Sequence, residues 1–414
     1  MNRGQRYRLT IERPAAGGRM IARHEGSIVF VSGAIPGEVV EAEVEKVQRG
    51  TIWATTREVI ECSPDRVPGA PDGACGGSVF AHIAYQRQRE IKAAIIADAF
   101  RRIGRIPLDT ATEIVASPVD GYRMRARLHV RGGRIGFFRE GTHSWCDPAP
   151  TRQLREDSIA VIAALESSLA SSDRAVVAEI ELSENRDAGE RACHLELLPN
   201  VDPSRLSTLT RIPGLTGATC APTDHPRTME LWGSPLVTDQ IAGARLSRHV
   251  RSFFQGNRFL IEPLVEHVLS LLEPGPALDL YAGVGLFSVP AALTARGTIT
   301  AVEGERSSAA DLKRNAAGQD VVVYEDSVER FVSRSHPPFA SIIVDPPRTG
   351  MSKEAMAGAV KMRAGRVVYV SCDIATLARD ARVMLDAGYR IASMRAFDLF
   401  PNTAHVETVI AFAL

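Results

Sequence analysis

Cys372 carries the most reactive side chain at a position in the sequence that suggests a catalytic role. The sequence VVYVSC ends at this cysteine, and DIATLARDARVML begins a predicted helix directly after it. A thiol at a strand–helix junction lies near the positive end of the helix dipole, which favours the nucleophilic thiolate. A single cysteine is more often a small buried apolar residue. The position therefore indicates a nucleophile only if other reactive groups lie beside it.

A carboxylate and an imidazole follow in the stretch FDLFPNTAHVET. Glu407 lies on the last predicted strand, and His405 lies two positions earlier on the same face. A carboxylate in the end of a buried sheet costs free energy, so it needs a chemical reason, and proton removal supplies one. For His405 we favour a structural hydrogen bond over a proton role.

A ligand site is expected where the first strand of the carboxyl-terminal half ends, in DLYAGVG at residues 279–285. Gly283 and Gly285 allow a tight turn and a close approach to a ligand, although the third glycine of the dinucleotide fingerprint is missing. Glu303 ends the next strand, where an acid can accept hydrogen bonds from both ribose hydroxyls of a nucleoside. The alternative is an ordinary exposed carboxylate. The combination fits adenosine without a pyrophosphate, which favours S-adenosylmethionine over NAD.

The sequence Asp345-Pro346-Pro347-Arg348 ends the fourth strand. The prolines stiffen the turn and hold the Asp345 carboxylate at the strand tip. Methyltransferases that act on amino groups usually carry an aromatic residue after the two prolines, where this chain has Arg348. A carbon target is therefore favoured. For C5 of uracil, thiolate attack at C6 generates a carbanion at C5 that can accept a methyl group, and a base must then remove the C5 proton.

These residues fall in the last of three predicted domains. Strands alternate with helices from about Val250, which predicts an α/β, Rossmann-like domain over residues 241–414 with a parallel, doubly wound sheet and an antiparallel finish. With the donor site described above, we expect it to be a class I methyltransferase domain. Residues 1–58 contain five short strands without a helix, typical of an OB-like barrel that binds RNA. Residues 59–240 are predicted to be a central mixed α+β domain. Within it, a helix at 82–104 is expected to pack on the catalytic domain.

Composition narrows the class of protein. The chain has 414 residues, a formal net charge of +0 and 45% hydrophobic residues, as a globular protein of several domains would. The polar amino terminus, the lack of any apolar run near the roughly 18 residues that span a bilayer, and only six cysteines predict a cytoplasmic protein with reduced thiols. Nine arginines between residues 101 and 140 indicate either a face for a phosphate backbone or a merely soluble basic sheet. We expect a monomer.

Six stretches resemble one known family in their order and spacing. They are FFQGN (253–257), DLYAGVGLFSVP (279–290), AVEG (301–304), DPPRTG (345–350), VSCDIATLARD (370–380) and FPNTAHVET (400–408). They are similar to the RNA uracil-C5 methyltransferases of the bacterial rRNA and tRNA type. Near the front, VFVSGAIPGEVVEAEV resembles the RNA-binding TRAM domain that many members carry.

The resemblance implies a role for each matching residue. Cys372 would be the nucleophile that adds to C6 of a uridine in RNA, and Glu407 would accept the C5 proton. The donor-binding positions of the family carry Gln255, Tyr281, Leu286, Glu303 and Asp345, with Gly283 and Gly285 in the turn. Asp345 and Gln255 would also meet the uracil edge, and Asp326 is a weaker candidate for the adenine.

The sequence departs from the family in the loop at 62–80. The rRNA-type members often hold an iron–sulfur cluster there through a cysteine, a CGGC motif about five residues later and a fourth cysteine further on. The first, third and fourth ligand positions here carry Ala70, Ser78 and Thr151. Cys75 alone keeps its place, because Cys146 lies five residues too early and Cys62 is outside the motif. Four thiolates cannot be assembled, so we expect no cluster and no other metal, and we expect packing to hold the loop.

Several alternatives stay open at this point. The barrel and the cluster-like loop favour 23S rRNA over tRNA, although the lost ligands weaken that preference. Cytosine C5 methylation also uses a thiolate, but those enzymes place it after a proline or in a threonine–cysteine pair, and neither precedes Cys372. A catalytically silent RNA-binding protein would show damage at Cys372 or Glu407, and both residues are present. The target base must leave its stack, so a loop or an unfolded RNA is the expected substrate.

Overall fold

The computed structural model describes residues 2–169, 171–207, 209–224, 228–294 and 297–414, and these residues form four sheets. The first sheet is a closed barrel with neighbours in the order β1-β2-β3-β5-β4. Its strands are β1 (Arg6–Pro14), β2 (Met20–His24), β3 (Ser27–Ser32), β4 (Val39–Gln48) and β5 (Thr51–Glu61). Alternate side chains point inward, as the period of two in a strand requires, and Leu9, Val29 and Val40 lie in the barrel core. The predicted OB-like barrel is confirmed.

The chain next runs along the carboxyl-terminal domain before it builds the central one. Helix α1 (Tyr85–Ala99) continues into a π-helical turn (Phe100–Gly104), and a short strand β6 (Ile114–Val115) follows. Ile96 and Phe100 are buried in the same apolar core as Leu377 of the carboxyl-terminal domain. Helix α1 and the turn after it thus pack against the carboxyl-terminal domain, and β6 belongs to its sheet, while the boundaries given for the three domains stay a prediction.

The central domain is a seven-stranded sheet in the order β13-β12-β11-β10-β7-β8-β9. Its strands are β7 (Arg125–Arg131), β8 (Arg134–Phe138), β9 (Trp145–Cys146), β10 (Val177–Glu184), β11 (Arg191–Leu197), β12 (Gly217–Pro222) and β13 (Met229–Gly233). The helices are α2 (Glu156–Ser168) and α3 (Ser171–Arg174), with short 3₁₀ turns at Ala149–Thr151 and Pro203–Leu206. Along β7, Ala126 and Leu128 point into the core while Arg125 and Arg127 point away from it. The sequence correctly predicts arginines on the outer face of this strand.

A hairpin of β14 (Leu236–Ile241) and β15 (Ala244–His249) leads into the carboxyl-terminal sheet. The order of that sheet is β18-β17-β16-β19-β20-β22-β21-β6. Its strands are β16 (Ala277–Leu280), β17 (Ile299–Glu303), β18 (Val321–Glu325), β19 (Ser341–Val344), β20 (Arg366–Ser371), β21 (Arg390–Phe397) and β22 (Glu407–Ala413). Its helices are α4 (Ile261–Ser270), α5 (Ser288–Leu293), α6 (Arg306–Ala316), α7 (Val328–Val332), α8 (Lys353–Lys361) and α9 (Ile374–Asp386).

The strands from β16 to β20 are parallel, and β22 pairs antiparallel with both β20 and β21. Strands β16 and β19 at the centre are buried on both faces, as a parallel sheet covered by helices requires. The predicted Rossmann-like domain with an antiparallel finish is therefore confirmed. Across the described ranges, each helix is too short or too polar to cross a membrane.

Candidate active site

The strand register brings Cys372 and Glu407 together. Ser371, at the end of β20, lies opposite Thr408 of β22. Continuing this antiparallel register by one residue places Cys372 opposite Glu407. Side chains that are directly opposite on antiparallel strands share a face, about 5 Å apart at their Cβ atoms. The two residues that the sequence predicts as nucleophile and base are therefore neighbours at one edge of the sheet.

The environment of Cys372 disfavours its thiolate in the protein alone. Burial raises the pKa of this thiol to about 12, and the Glu407 carboxylate adds to the effect, while the Arg348 guanidinium opposes it. Helix α9 begins after Asp373, whose carboxylate accepts a hydrogen bond from the backbone N–H of Thr376 at 2.8 Å. Asp373 caps the helix, and burial outweighs the other effects on the pKa of the thiol, so the expected contribution of the helix dipole stays a prediction.

Three buried carboxyl groups act on one another in the same region. Glu407 is 1% exposed, and burial together with Asp345 raises its pKa well above the usual value, against the effect of Arg348. Burial and the nearby Asp279 raise the pKa of Asp345 to about 7, while a hydrogen bond from Gln255 lowers it. A site with this many acidic groups and little water favours a positively charged ligand over a neutral one.

Asp279 is a member of the site that the sequence analysis did not assign. Its carboxyl is fully buried, its Oδ2 accepts a hydrogen bond from the Ser288 hydroxyl, and burial raises its pKa to about 7. Within the described part of the chain, Oδ1 has no hydrogen-bond partner. The sequence signal that could have identified Asp279 is its position, an acid at the end of a strand directly before a glycine turn. Its unpaired oxygen fits a ligand that carries a hydrogen-bond donor or a positive charge.

The turn after β16 is shaped by residues with left-handed backbone angles. Tyr281, Gly283 and Gly285 have φ values of +63°, +57° and +93°. The backbone N–H of Gly283 donates to Glu303 Oε2 at 2.8 Å, and no atom lies within 4 Å of the place where a Gly283 Cβ would stand. The next residue, Leu286, is buried at 6% exposure. Open space beside Gly283 suits the close approach of a ligand.

Both carboxylate oxygens of Glu303 accept hydrogen bonds from backbone N–H groups. Its Oε2 accepts from Gly283, and its Oε1 accepts from the backbone N–H of Glu305 at 2.6 Å. Burial raises its pKa, whereas these backbone hydrogen bonds lower it. Each carboxylate oxygen can accept a second hydrogen bond, so Glu303 retains capacity for the two hydroxyls of a ribose.

Two candidates from the sequence contact neighbouring side chains. Asp326 forms ion pairs with Arg334 at 2.6 Å and Arg330 at 3.3 Å, and its role at the adenine stays a prediction. The ring of His405 lies edge-on to Phe400, with 6.1 Å between the ring centroids, and its structural hydrogen bond stays a prediction.

Comparisons with known proteins bear on this arrangement. Residues 1–55 match the TRAM domain family, and residues 330–413 match the family described as tRNA (Uracil-5-)-methyltransferase. The chain is 31% identical over 432 residues to the 23S rRNA (uracil(1939)-C(5))-methyltransferase RlmD of Pseudomonas entomophila, covering 99% of this chain and 94% of the relative. It is 32% identical over 422 residues to RlmD of Alkalilimnicola ehrlichii, covering 95% and 94%.

The chain belongs to the RNA uracil-C5 methyltransferase family. Membership makes it a methyltransferase that depends on S-adenosylmethionine and acts on C5 of uracil in RNA, which confirms the activity predicted from the sequence. The solved structure of Pyrococcus abyssi tRNA (uracil-54, C5)-methyltransferase in complex with S-adenosyl-L-homocysteine has the same fold. The TM-score is 0.79 at 24% identity, over 98% of this chain and 99% of that one.

Two further residues were not assigned from the sequence. Arg348 lowers the pKa of both Cys372 and Glu407, so its guanidinium acts on both reacting groups. Phe253, two positions before Gln255, is 65% exposed, and the Arg125 guanidinium lies 5.8 Å from its ring centroid. The exposure of this large aromatic side chain could not be predicted from the sequence.

The cluster that many family members carry does not fit the residues present here. Alanine at position 70 has no donor atom, and the Thr151 hydroxyl donates to the Pro148 carbonyl at 2.6 Å. The remaining thiol, Cys75, forms a disulfide with Cys146, so the expectation of reduced thiols is wrong for this pair. Among the residues that the structure describes, no group of three or more metal-ligating side chains is assembled.

Polar contacts hold the loop beside the disulfide. The Gln153 side chain donates to the Gly76 carbonyl at 2.7 Å and accepts from the Arg123 guanidinium at 2.6 Å. A Cβ on Gly77 would stand 2.5 Å from Gln153 Oε1, so this amide fills the space beside the loop. A covalent link and one buried amide thus tie the loop to the central domain.

Proposed function

We propose that this chain methylates C5 of a single uridine in 23S rRNA through a covalent adduct between Cys372 and C6 of the base. The observation that carries the proposal is the register of β20 and β22, which sets Cys372 opposite Glu407. A nucleophile and a base on the same face of a sheet are what the reaction at an unreactive carbon requires, and here Glu407 is buried and Cys372 half-buried.

The steps follow from the side chains. The Cys372 thiolate adds to C6, and the electron pair of the C5=C6 double bond moves to C5. When bound, S-adenosylmethionine supplies the electrophilic methyl group that C5 takes. Glu407 then removes the proton from C5, the double bond re-forms and Cys372 leaves as the thiolate. Arg348 assists the first step, because a cation beside the thiol lowers its pKa.

The donor would lie along the turn after β16. Glu303 and the open space at Gly283 suit the ribose and its adenine. Asp279 and Asp345, whose buried carboxyls repel each other, suit the positive sulfonium end. Gln255 donates to Asp345 and would fix its orientation, while Tyr281 and Leu286 would supply apolar contact.

RNA would approach across the outer face of the central sheet. Arg125 and Arg127 lie on that face, where Glu181 pairs with both at 3.5 Å and 2.7 Å. Phe253 projects beside Arg125 and offers a ring on which a base can stack. The pairing with Glu181 offsets part of the positive charge of these two arginines. We therefore expect base stacking on Phe253 to contribute more to RNA recognition than the attraction between this face and the phosphates.

The substrate class is supported by the relatives. Two relatives that align over almost the whole chain are named as 23S rRNA enzymes, whereas tRNA is supported by the description of the family that matches residues 330–413. The test uses transcripts of 23S rRNA and tRNA, a methyl-labelled donor and nucleoside analysis. We expect 5-methyluridine in 23S rRNA alone. Label in tRNA would overturn the substrate, and label in cytidine would overturn the chemistry.

A further inference from the structure

A fully buried ion pair joins helix α1 to the catalytic domain. Lys92 Nζ lies 2.5 Å from Asp398 Oδ1 and donates to the Phe400 carbonyl at 3.0 Å, and neither charged side chain is exposed. Removing two charges from water costs several kcal/mol for each ion. A buried ion pair is therefore weak evidence for stability, which raises the question of what this pair positions.

The pair lies next to Glu407 in the sheet. Asp398 directly follows Phe397, and Phe397 lies opposite Glu407 in the register of β21 and β22. Residues 398–406 form the connection that leaves β21 and re-enters the sheet at Glu407. The course of this connection therefore decides where the Glu407 carboxylate enters the site.

A second buried side chain of α1 grips the same connection. Gln88, one helical turn before Lys92 and 1% exposed, accepts from the backbone N–H of Asn402 at 2.9 Å. Its amide also donates to Asn402 Oδ1 at 2.9 Å. Asn402 has a φ of +63°, in the left-handed region that asparagine adopts more readily than most other residues. Lys92 and Gln88 thus contact both halves of this turn, at the Phe400 carbonyl and at Asn402.

We propose that Lys92 and Gln88 are positioning residues for the reaction: through Asp398, Phe400 and Asn402 they aim the Glu407 carboxylate at C5 of the base. The inference rests on the proposed function. It assigns a role in the chemistry to a helix that precedes the catalytic domain by more than a hundred residues in the sequence.

This role has a distinctive kinetic signature. Glu407 acts only after Cys372 has added and C5 has taken the methyl group. A misplaced carboxylate slows the loss of the C5 proton without slowing the earlier addition, because the Glu407 carboxylate disfavours the Cys372 thiolate. The methylated protein–RNA adduct should then accumulate. A general loss of stability would instead slow adduct formation and turnover together.

The test replaces Gln88 by methionine in the full-length chain, which keeps the volume and removes both hydrogen bonds to Asn402 together with those to the Phe80 and Ile83 carbonyls. The matched control is Gln86→Met, at an exposed position of the same helix. Each protein is mixed with a uridine-containing 23S rRNA fragment and a methyl-labelled donor, and labelled adduct is read on a denaturing gel. Displacements of about 1 Å can cost up to roughly a hundredfold in rate. We expect Gln88→Met to lose at least about tenfold in turnover and to accumulate adduct, whereas Gln86→Met behaves as the wild type.

A second variant guards against a folding defect. Lys92→Met combined with Asp398→Asn removes both charges without leaving one unpaired, and the same accumulation is expected. Unchanged turnover, or lost turnover without accumulated adduct, in variants with the thermal stability of the wild type would overturn the inference. Parallel loss of adduct formation and stability in both variants would also overturn it. If Glu407→Gln itself traps no adduct on this RNA, the proposed function fails and not the positioning role.

Discussion

Cys372 directly follows β20, Glu407 begins the adjacent antiparallel strand β22, and the first side chain is half-buried and the second buried. Burial raises the pKa of both side chains. The Glu407 and Asp345 carboxyls raise the pKa of Cys372 further, and Asp345 raises that of Glu407 further. The sequence was sufficient to pick out both residues, because their motifs are specific. Their ionisation could not be predicted from the helix dipole, because it depends on burial and on carboxyls that come from three different strands.

The raised pKa of Cys372 gives the first step a pH dependence. Only the thiolate attacks, and with a pKa of about 12 its fraction grows about tenfold for each pH unit below that value. We expect the single-turnover rate of covalent capture to rise steeply from pH 6 to pH 9. Arg348→Met should lower the rate at every pH, since it removes the cation that favours the thiolate, and Arg348→Lys should recover part of it. A flat profile over this range would contradict the account.

Asp279 links the stability of the donor-free protein to pH. An unfolded aspartate ionises near pH 3.9, whereas burial raises the pKa of Asp279 in the folded protein to about 7. Between these values the folded state binds more protons, so stability is full below about pH 4 and is lost as the pH rises to 7. The difference is on the order of 4 kcal/mol. Asp279→Asn should therefore raise the melting temperature at pH 8 and leave it unchanged near pH 4. A lower melting temperature at pH 8 would count against this.

At the scale of elements, the turns at the carboxyl ends of the strands form the donor site. The sequence predicts the alternation of strands and helices and the glycine turn, because both have strong local signals. It does not predict that β6 completes the edge of the carboxyl-terminal sheet, since a two-residue strand has no periodicity to detect. Nor does it show that Asp326 is engaged by two arginines of the following segment.

Gly285 is the glycine of the donor turn that no other residue can replace without strain. Its φ is +93°, and an added Cβ would stand 2.8 Å from Leu312 Cδ1 and from Val289 Cγ2. Gly285→Ala should therefore strain the turn and weaken donor binding at least about tenfold, a cost of about 1.4 kcal/mol. Gly256→Ala is the matched control, because no atom lies within 4 Å of its Cβ position and its φ is not in the left-handed region. Calorimetric titration with the donor would decide, and equal affinity for both variants would refute the role given to the turn.

At the scale of the whole molecule, the contacts that join distant segments of the chain are only partly predictable from the sequence. The barrel, the central sheet and the Rossmann-like domain could each be predicted from strand patterns. The Cys75–Cys146 disulfide could not, because pairing depends on a Cα–Cα distance of 5.8 Å between residues 71 positions apart. The buried contacts of Gln88 and Lys92 with the connection after β21 could not be predicted either, because these two residues look like ordinary polar residues of a helix in the sequence.

The disulfide predicts how many cysteine thiols can react, and the missing ligands predict that no iron–sulfur cluster forms. The chain has six cysteines, so the unfolded, unreduced protein should present four reactive thiols and the reduced protein six. Protein purified without oxygen and reconstituted with iron and sulfide should bind neither and should lack visible absorption. A cluster of three or four irons would contradict both the ligand count and the disulfide. The variant Cys146→Ser should lower the melting temperature of the unreduced protein only.

The most direct test of the central claim is covalent trapping on an RNA in which the target uridine carries fluorine at C5. Glu407 cannot remove fluorine, so the Cys372 adduct should persist through a denaturing gel when the methyl donor is present. The account predicts a protein–RNA band with 23S rRNA that disappears in Cys372→Ala. No band from a wild-type protein that still binds the donor, or a band that survives in Cys372→Ala, would contradict it.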